Sequence, residues 1–273
     1  MARSLRFWLS LGLSTLVALA VLIVLGVVLG VLLPRLNAEV ESRNLGLGEV
    51  AARQVASRLD DFASDMTLLA SDLALSPARS EEHRRIAIDT VAQMKKSLET
   101  LYVLDAADRV IDVGMPLERR AARANLMGID FSSREFVRQA RARGGLVWSD
   151  TYLSVDGHIV VALAIALRSA PGGSNNTEVI VGELDLQELS HFAADLSQGG
   201  ALLPIILDAR SHVVGHPRPE RALRQENLGH LPLLAKGEPA PPRSARFRLD
   251  EIEYIGSYTP LGKHGWGLSL IHI

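Results

Sequence analysis

Leu101-Tyr102-Val103-Leu104-Asp105-Ala106-Ala107-Asp108-Arg109-Val110-Ile111-Asp112-Val113 decides the fold class. Before Thr100 the apolar residues recur at helical spacing; here they alternate with period 2 around a polar turn, which predicts strand, turn, strand. The pattern returns a hundred residues later. Leu202 to Leu207, the turn Asp208-Ala209-Arg210 and His212 to Gly215 repeat the hairpin, including the Leu-Asp pair at its end (Leu104-Asp105 and Leu207-Asp208). The chain therefore reads as α+β, with two antiparallel sheets in series.

The remaining elements fit around these hairpins. Ser132 is placed to cap a short helix running to about Arg143, with Gly144-Gly145 ending it. Leu146 to Leu153 and Ile159 to Leu167 form a hairpin around Asp156-Gly157. Glu178 to Leu184 is a further strand after the polar loop Pro171 to Thr177, and a helix from Leu186 to about Leu196 leads to the second unit. There Arg246 to Leu249 and Ile252 to Ser257 pair across Asp250-Glu251.

Upstream, Leu45, Gly48, Ala52, Val55, Leu59, Phe62, Met66, Leu69 and Leu73 follow 3-4-3-4 spacing, a heptad seam on one long helix. The small residues Gly48 and Ala52 suggest that its first half meets a second copy of the chain, and that Phe62 to Leu73 packs on the chain's own domain. Ser76-Pro77 ends the helix. Ser80-Glu81-Glu82 starts another, with Ile86, Thr90, Met94 and Leu98 along one face.

From Phe7 to Leu33 no charged residue occurs over 27 positions, more than the roughly 20 apolar residues that cross a bilayer core. A signal peptide would end near Ala18-Leu19-Ala20, but another dozen apolar residues follow, so an anchor is expected. Arg3 and Arg6 precede it, which orients the amino terminus to the cytoplasm and the rest to the periplasm. The expected division is a cytoplasmic stub at 1–6, a transmembrane helix at 7–33, a stalk helix at 34–78, a membrane-distal module at 79–196, a membrane-proximal module at 197–268, and residues 269–273 as a tail.

Composition narrows the chemistry. Cysteine is absent, which removes disulfides, thiolate nucleophiles and iron-sulfur clusters. A net charge of −2 offers no excess of positive charge for nucleic acid. His212 and His216 are four apart, but Val213-Val214-Gly215 between them reads as strand rather than helix, so no metal site is expected. No cofactor motif is present, and no nucleophile, base and orienter set can be named.

Asp130-Phe131-Ser132-Ser133-Arg134-Glu135-Phe136 resembles the D-x-S-x-R-x-aromatic motif of the double Cache family, and Trp148-Ser149-Asp150-Thr151-Tyr152-Leu153-Ser154 follows at the family's distance. Val181-Gly182-Glu183-Leu184-Asp185-Leu186 resembles the strand-to-helix exit of its distal module. Gly215-His216-Pro217 and Gly265-Trp266-Gly267-Leu268 resemble marks of its second module. The resemblance runs from about Leu45 to Leu268. It implies two PAS-like modules, a homodimer through the stalk, and the signal-input part of a bacterial membrane receptor. The output domain, a histidine kinase, diguanylate cyclase or chemoreceptor, would lie outside this chain, which is itself not an enzyme.

The resemblance also implies a site. Arg134 would grip a carboxylate through its planar fork of donors, with Asp185 holding a cationic group and Tyr152, Phe136 and Tyr102 as walls. Asp185 is equally suited to cap the helix that starts at Leu186. Amino-acid-binding members have two aromatic residues after the Arg, where this chain has Phe136 and Val137, and Ser154 stands where an acid is common. The expected ligand is therefore a small carboxylate, amino-acid-like at most. A membrane-anchored periplasmic enzyme and a constitutive assembly protein remain the alternatives.

Leu268-Ser269-Leu270-Ile271-His272-Ile273 is what the codons CTG TCT CTT ATA CAC ATC specify, a string like a transposase adapter used in sequencing libraries. The alternative is a natural strand, since Ser-Leu-Ile-His-Ile alternates well. The adapter reading predicts that an unfragmented genome continues differently after the codon for Trp266. A stop codon directly after Ile273 would refute it.

Overall fold

The structure, a computed structural model, describes residues 16, 18–75, 81–95, 97–167, 178–197, 202–234, 242–249, 252–262 and 265–272. Both predicted hairpins form, and one local device shapes their turns. The carboxylate of Asp105 accepts the backbone N–H groups of Ala107 and Arg109, and that of Asp208 accepts those of Arg210 and His212. Such side-chain acceptance mimics a backbone turn, which explains why a Leu-Asp pair closes each first strand.

Six strands form the first sheet: β1 (Leu98–Leu104), β2 (Val110–Gly114), β3 (Leu146–Trp148), β4 (Tyr152–Leu153), β5 (Ile159–Ala166) and β6 (Val179–Asp185). Their order is β2-β1-β6-β5-β3, with β4 also paired to β5. The central β5 and β6 are buried almost throughout, as their near-continuous apolar sequences require. The second sheet contains β7 (Leu202–Leu207), β8 (Val213–Gly215), β9 (Arg243–Leu249), β10 (Ile252–Pro260) and β11 (Gly267–His272), in the order β8-β7-β11-β10-β9. Strand β11 lies between β7 and β10, with Ser269, Leu270 and Ile271 buried. The second unit thus runs past Leu268, where sequence reading ended it, because the alternation of residues 269–272 suits them to the centre of a sheet.

Helices cover the sheets. They are α1 (Leu33–Leu75), α2 (Glu81–Met94), α3 (Arg123–Leu126), α4 (Glu135–Arg143), α5 (Leu186–Leu196) and α6 (Pro219–Leu223). Two of them depart from expectation. Helix α4 begins three residues after Ser132, since Phe131 donates to Asp108 O and Arg134 to Phe131 O, so the chain turns before it coils. Helix α2 buries Ile88 and Ala92 and leaves Ile86 and Met94 exposed, the reverse of the predicted face. Gly114 of β2 is the reason: a Cβ there would lie 2.7 Å from Ile88 O, so the missing side chain admits this face of α2.

The heptad stripe of α1 is also used differently. Helix α1 runs along β10 and β11 of the second sheet and β5 and β6 of the first. A Cβ on Gly48 would lie 2.9 Å from Ser257 Oγ, and that hydroxyl donates to Asn44 O, 3.3 Å away. The half of the stripe expected to meet a second copy is therefore occupied by the chain's own β10. Small residues permit close approach, and spacing alone does not say to what. Ser76-Pro77, Ser80, Pro171 to Thr177 and Asp250-Glu251 lie outside the described residues.

Among the described residues no helix is long and apolar enough to cross a membrane. Of the segment Phe7 to Leu33, residues 16 and 18–33 are described; they are helical, and side chains such as Leu19, Leu22 and Leu29 are exposed.

Val55 is fully buried in the stripe. Val55→Glu places an unpaired carboxylate there and is expected to cost more than about 3 kcal/mol of stability, read as a large drop in melting temperature. A melting temperature within a degree of the parent would show that α1 is not held as described.

Candidate functional site

The residues that matter lie on the face of the first sheet that α4 covers. Strand periodicity puts Tyr102 on β1, Tyr152 on β4, and Glu183 and Asp185 on β6 on this one side. It also carries the apolar cluster of Leu104, Val181, Ala162, Ala164, Phe131 and Phe136.

Arg134 occupies the N-cap position of α4, and its guanidinium carbon sits 4.5 Å from the centre of the Tyr152 ring. Phe136 stacks on the same ring, with centroids 5.7 Å apart and planes inclined by 22°. The cation–π contact holds the guanidinium at the site without neutralising it. Among the described residues no carboxylate forms a salt bridge with Arg134. It lines a cavity of about 450 Å3, bounded by the start of α4, by Trp148 to Tyr152, and by Arg210 from the second unit.

Arg134, Phe136 and Tyr152 therefore come together as the sequence suggested. Tyr102 is fully buried behind them and does not line the cavity; its hydroxyl donates to Glu183 Oε2 at 3.1 Å. Asp185 is also outside the cavity wall. Its Oδ1 accepts the N–H of Gln187 at 2.8 Å, so it caps α5. Asp185 lies opposite Val160, which lies opposite Tyr152, which puts it two strands from the tyrosine, roughly 10 Å across the sheet.

The residue missed in the sequence is Glu183. It is buried, with Tyr152 donating to Oε1 at 2.7 Å and Tyr102 to Oε2 at 3.1 Å. Burial pushes its carboxyl up to about 7, against the two hydroxyl bonds that favour the charged form. Burial and the neighbouring Glu183 charge also push both tyrosine hydroxyls well above their ordinary value. A period-2 reading of β6 contained the signal, because Glu183 is a carboxylate inside the strand on the face that also carries Val179 and Val181.

His212 and His216 do not form a metal pair. His212 Nδ1 lies 3.3 Å from Asp208 Oδ2, while His216 is fully buried and its Nδ1 accepts the N–H of Arg218 at 2.8 Å. Burial lowers the His216 imidazole to about 4, which keeps it neutral.

No family model matches the chain. No curated protein matches it in sequence. Solved structures do match in fold. The ligand-binding domain of the Pseudomonas aeruginosa PAO1 amino-acid chemoreceptor PctC, in complex with GABA, superposes with a TM-score of 0.65 at 19% identity, covering 86% of this chain and 100% of that one. The extracellular domain of a protein described as a histidine kinase, rpHK1S-Z16, gives 0.71 at 14%, covering 86% and 95%. An extracellular ligand-binding receptor from Desulfohalobium retbaense gives 0.68 at 12%; the match covers 85% of this chain but only 40% of that receptor. The chain thus has the fold of Cache-type extracellular ligand-binding domains of chemoreceptors and sensor kinases, as its motifs implied.

Glu183 supplies a pH test. Its carboxyl is raised in the fold from the ordinary 4.5 to about 7, so its contribution to stability is full below pH 4.5 and lost as pH rises through 7. The loss is on the order of 3 kcal/mol. Glu183→Gln is expected to flatten the fall in melting temperature between pH 5 and pH 8. Parallel curves for parent and variant would contradict the buried carboxyl.

Proposed function

We propose that this chain is the signal-input part of a bacterial membrane receptor, binding a small carboxylate, amino-acid-like at most, on the Arg134 face of the first sheet. The observation that carries this reading is the guanidinium of Arg134. It is held over the Tyr152 ring, lines a cavity of about 450 Å3, and forms no salt bridge with a carboxylate among the described residues. A cavity of this size suits a small molecule, and a fixed, unpaired guanidinium suits a carboxylate. The buried Glu183 lies beneath Tyr152 and accepts its hydroxyl, which fixes the ring on which the guanidinium rests. The fold shared with receptor ligand-binding domains supports a sensory role rather than catalysis.

In this proposal residues 7–33 anchor the chain in the inner membrane with the amino terminus in the cytoplasm. The rest is periplasmic, the Arg134 module distal and the second module proximal. Charge bias and the exposed apolar side chains of residues 18–33 support that placement. A homodimer through the stalk would use Leu36, Val40, Leu47 and Val50, which α1 leaves exposed at roughly heptad spacing, rather than the covered Gly48 and Ala52. The output passes to a histidine kinase, diguanylate cyclase or chemoreceptor domain.

Calorimetry on residues 34–273, which keep all of β11, with a panel of amino acids and short carboxylates tests the reading. Arg134→Ala is expected to weaken binding by about thirtyfold or more, because it removes one side of a charge-assisted pair. Equal affinity in parent and variant would place the ligand elsewhere.

A further inference from the structure

The wall of the Arg134 cavity includes one side chain from the other sheet. Arg210 belongs to the turn between β7 and β8, yet it borders the cavity together with Arg134. Its Nη2 lies 2.8 Å from Asp150 Oδ2, on the loop between β3 and β4. Two carboxylates also line the cavity, Asp150, paired with Arg210, and Glu135, bonded to Arg138 and Gln139, which leaves Arg134 without a carboxylate partner among the described residues and Arg210 with one it can exchange.

The backbone that presents Arg210 is fixed. Asp208, itself buried, accepts the N–H groups of Arg210 and His212, and Asn227 Nδ2 donates to Arg210 O at 3.1 Å. The side chain is held far less firmly. The side chains of Arg210 and Asp150 are 68% and 48% exposed, and an ion pair so open to water contributes little and exchanges readily. Arg210 is thus positioned at the mouth with a weak internal partner that an incoming anion can replace.

The loop carrying Asp150 has two sides. Trp148 to Tyr152 line the cavity, and Trp148 also meets Trp266 of the second unit at 5.6 Å and Phe62 of α1 at 5.9 Å. An anion that moved Arg210 from Asp150 to itself would join the first sheet to the second across this loop, next to α1.

We propose that the cavity takes a ligand with two carboxylates, one gripped by Arg134 of the first sheet and the other by Arg210 of the second, displacing the Asp150–Arg210 pair. The proposal rests on the carboxylate-receptor reading above and adds the ligand class and a specificity-determining residue. It also makes the ligand a bridge between the sheets, favouring whichever arrangement keeps both guanidiniums in reach.

The test uses the full chain in detergent micelles and matched probes that differ by one carboxylate: succinate against butyrate, and L-glutamate against GABA. The wild type is expected to prefer the dicarboxylate of at least one pair by about tenfold or more. Arg210→Ala should bring the two members of that pair to within about twofold by weakening only the dicarboxylate, and Asp150→Asn should widen the preference. Arg210 is exposed, so the variant should keep the parental melting temperature, and Arg210→Lys should restore part of the preference. Monocarboxylate binding that Arg134→Ala abolishes, with no dicarboxylate preference or none sensitive to Arg210, overturns this proposal and leaves the receptor reading standing. No binding of any of the four probes to the wild type counts against both.

Discussion

The burial of one helix stripe against two sheets is the constraint on which the other features depend. From Gly48 to Met66 the inward residues of α1 pass from Ser257 on β10 to Gly182 on β6, so a single rigid helix spans both units. Each fully buried side chain of this stripe contributes about 1.5 to 3 kcal/mol of transfer free energy before the entropy of ordering is counted. The sheets cannot move independently without uncovering part of it. Displacement of either sheet along α1 is thereby coupled to the helix that points toward residues 18–33.

The covered stripe also explains the position of the aromatic junction. Phe62 meets Trp148 beside the cavity, and Trp148 meets Trp266, which enters β11 through the Gly265-Trp266-Gly267 turn. Gly265 has a φ of 68°, a conformation that favours glycine, and the N–H of Leu261 donates to Trp266 O at 2.8 Å. Three aromatic side chains from the helix, the first sheet and the second unit therefore pack in a row. Such a row of close-packed rings transmits displacement, because a dense core has little free volume to absorb it.

Within the first sheet the opposing demands of burial and charge meet at Glu183. A carboxylate on the apolar face would be costly alone, and two tyrosine hydroxyls, one from β1 and one from β4, each donate to one of its oxygens. This network ties the central strand to Tyr152, on whose ring Arg134 rests. The position of the guanidinium thus depends on a buried acid that does not line the cavity.

Much of the architecture was legible in the sequence by itself. Period-2 alternation located the hairpins, Leu-Asp pairs marked both turns, and the helix Leu186–Leu196 and strand Leu202–Leu207 lie where the pattern put them, since these are set by local periodicity and side-chain bonds to neighbouring backbone. The residues Arg134, Phe136 and Tyr152 were identifiable through the resemblance of their stretches to the double Cache motif. Tertiary structure decided what each face meets. Small residues at Gly48 and Gly114 announce close approach, but only the packed sheets show that β10 fills the first and α2 the second. Glu183 acquires its raised pKa from burial in the assembled sheet and its two hydroxyl partners from residues 81 and 31 positions away, and Arg210 reaches the Arg134 cavity from the other sheet. Burial and long-range charge are properties of the assembled chain, and no periodicity records them.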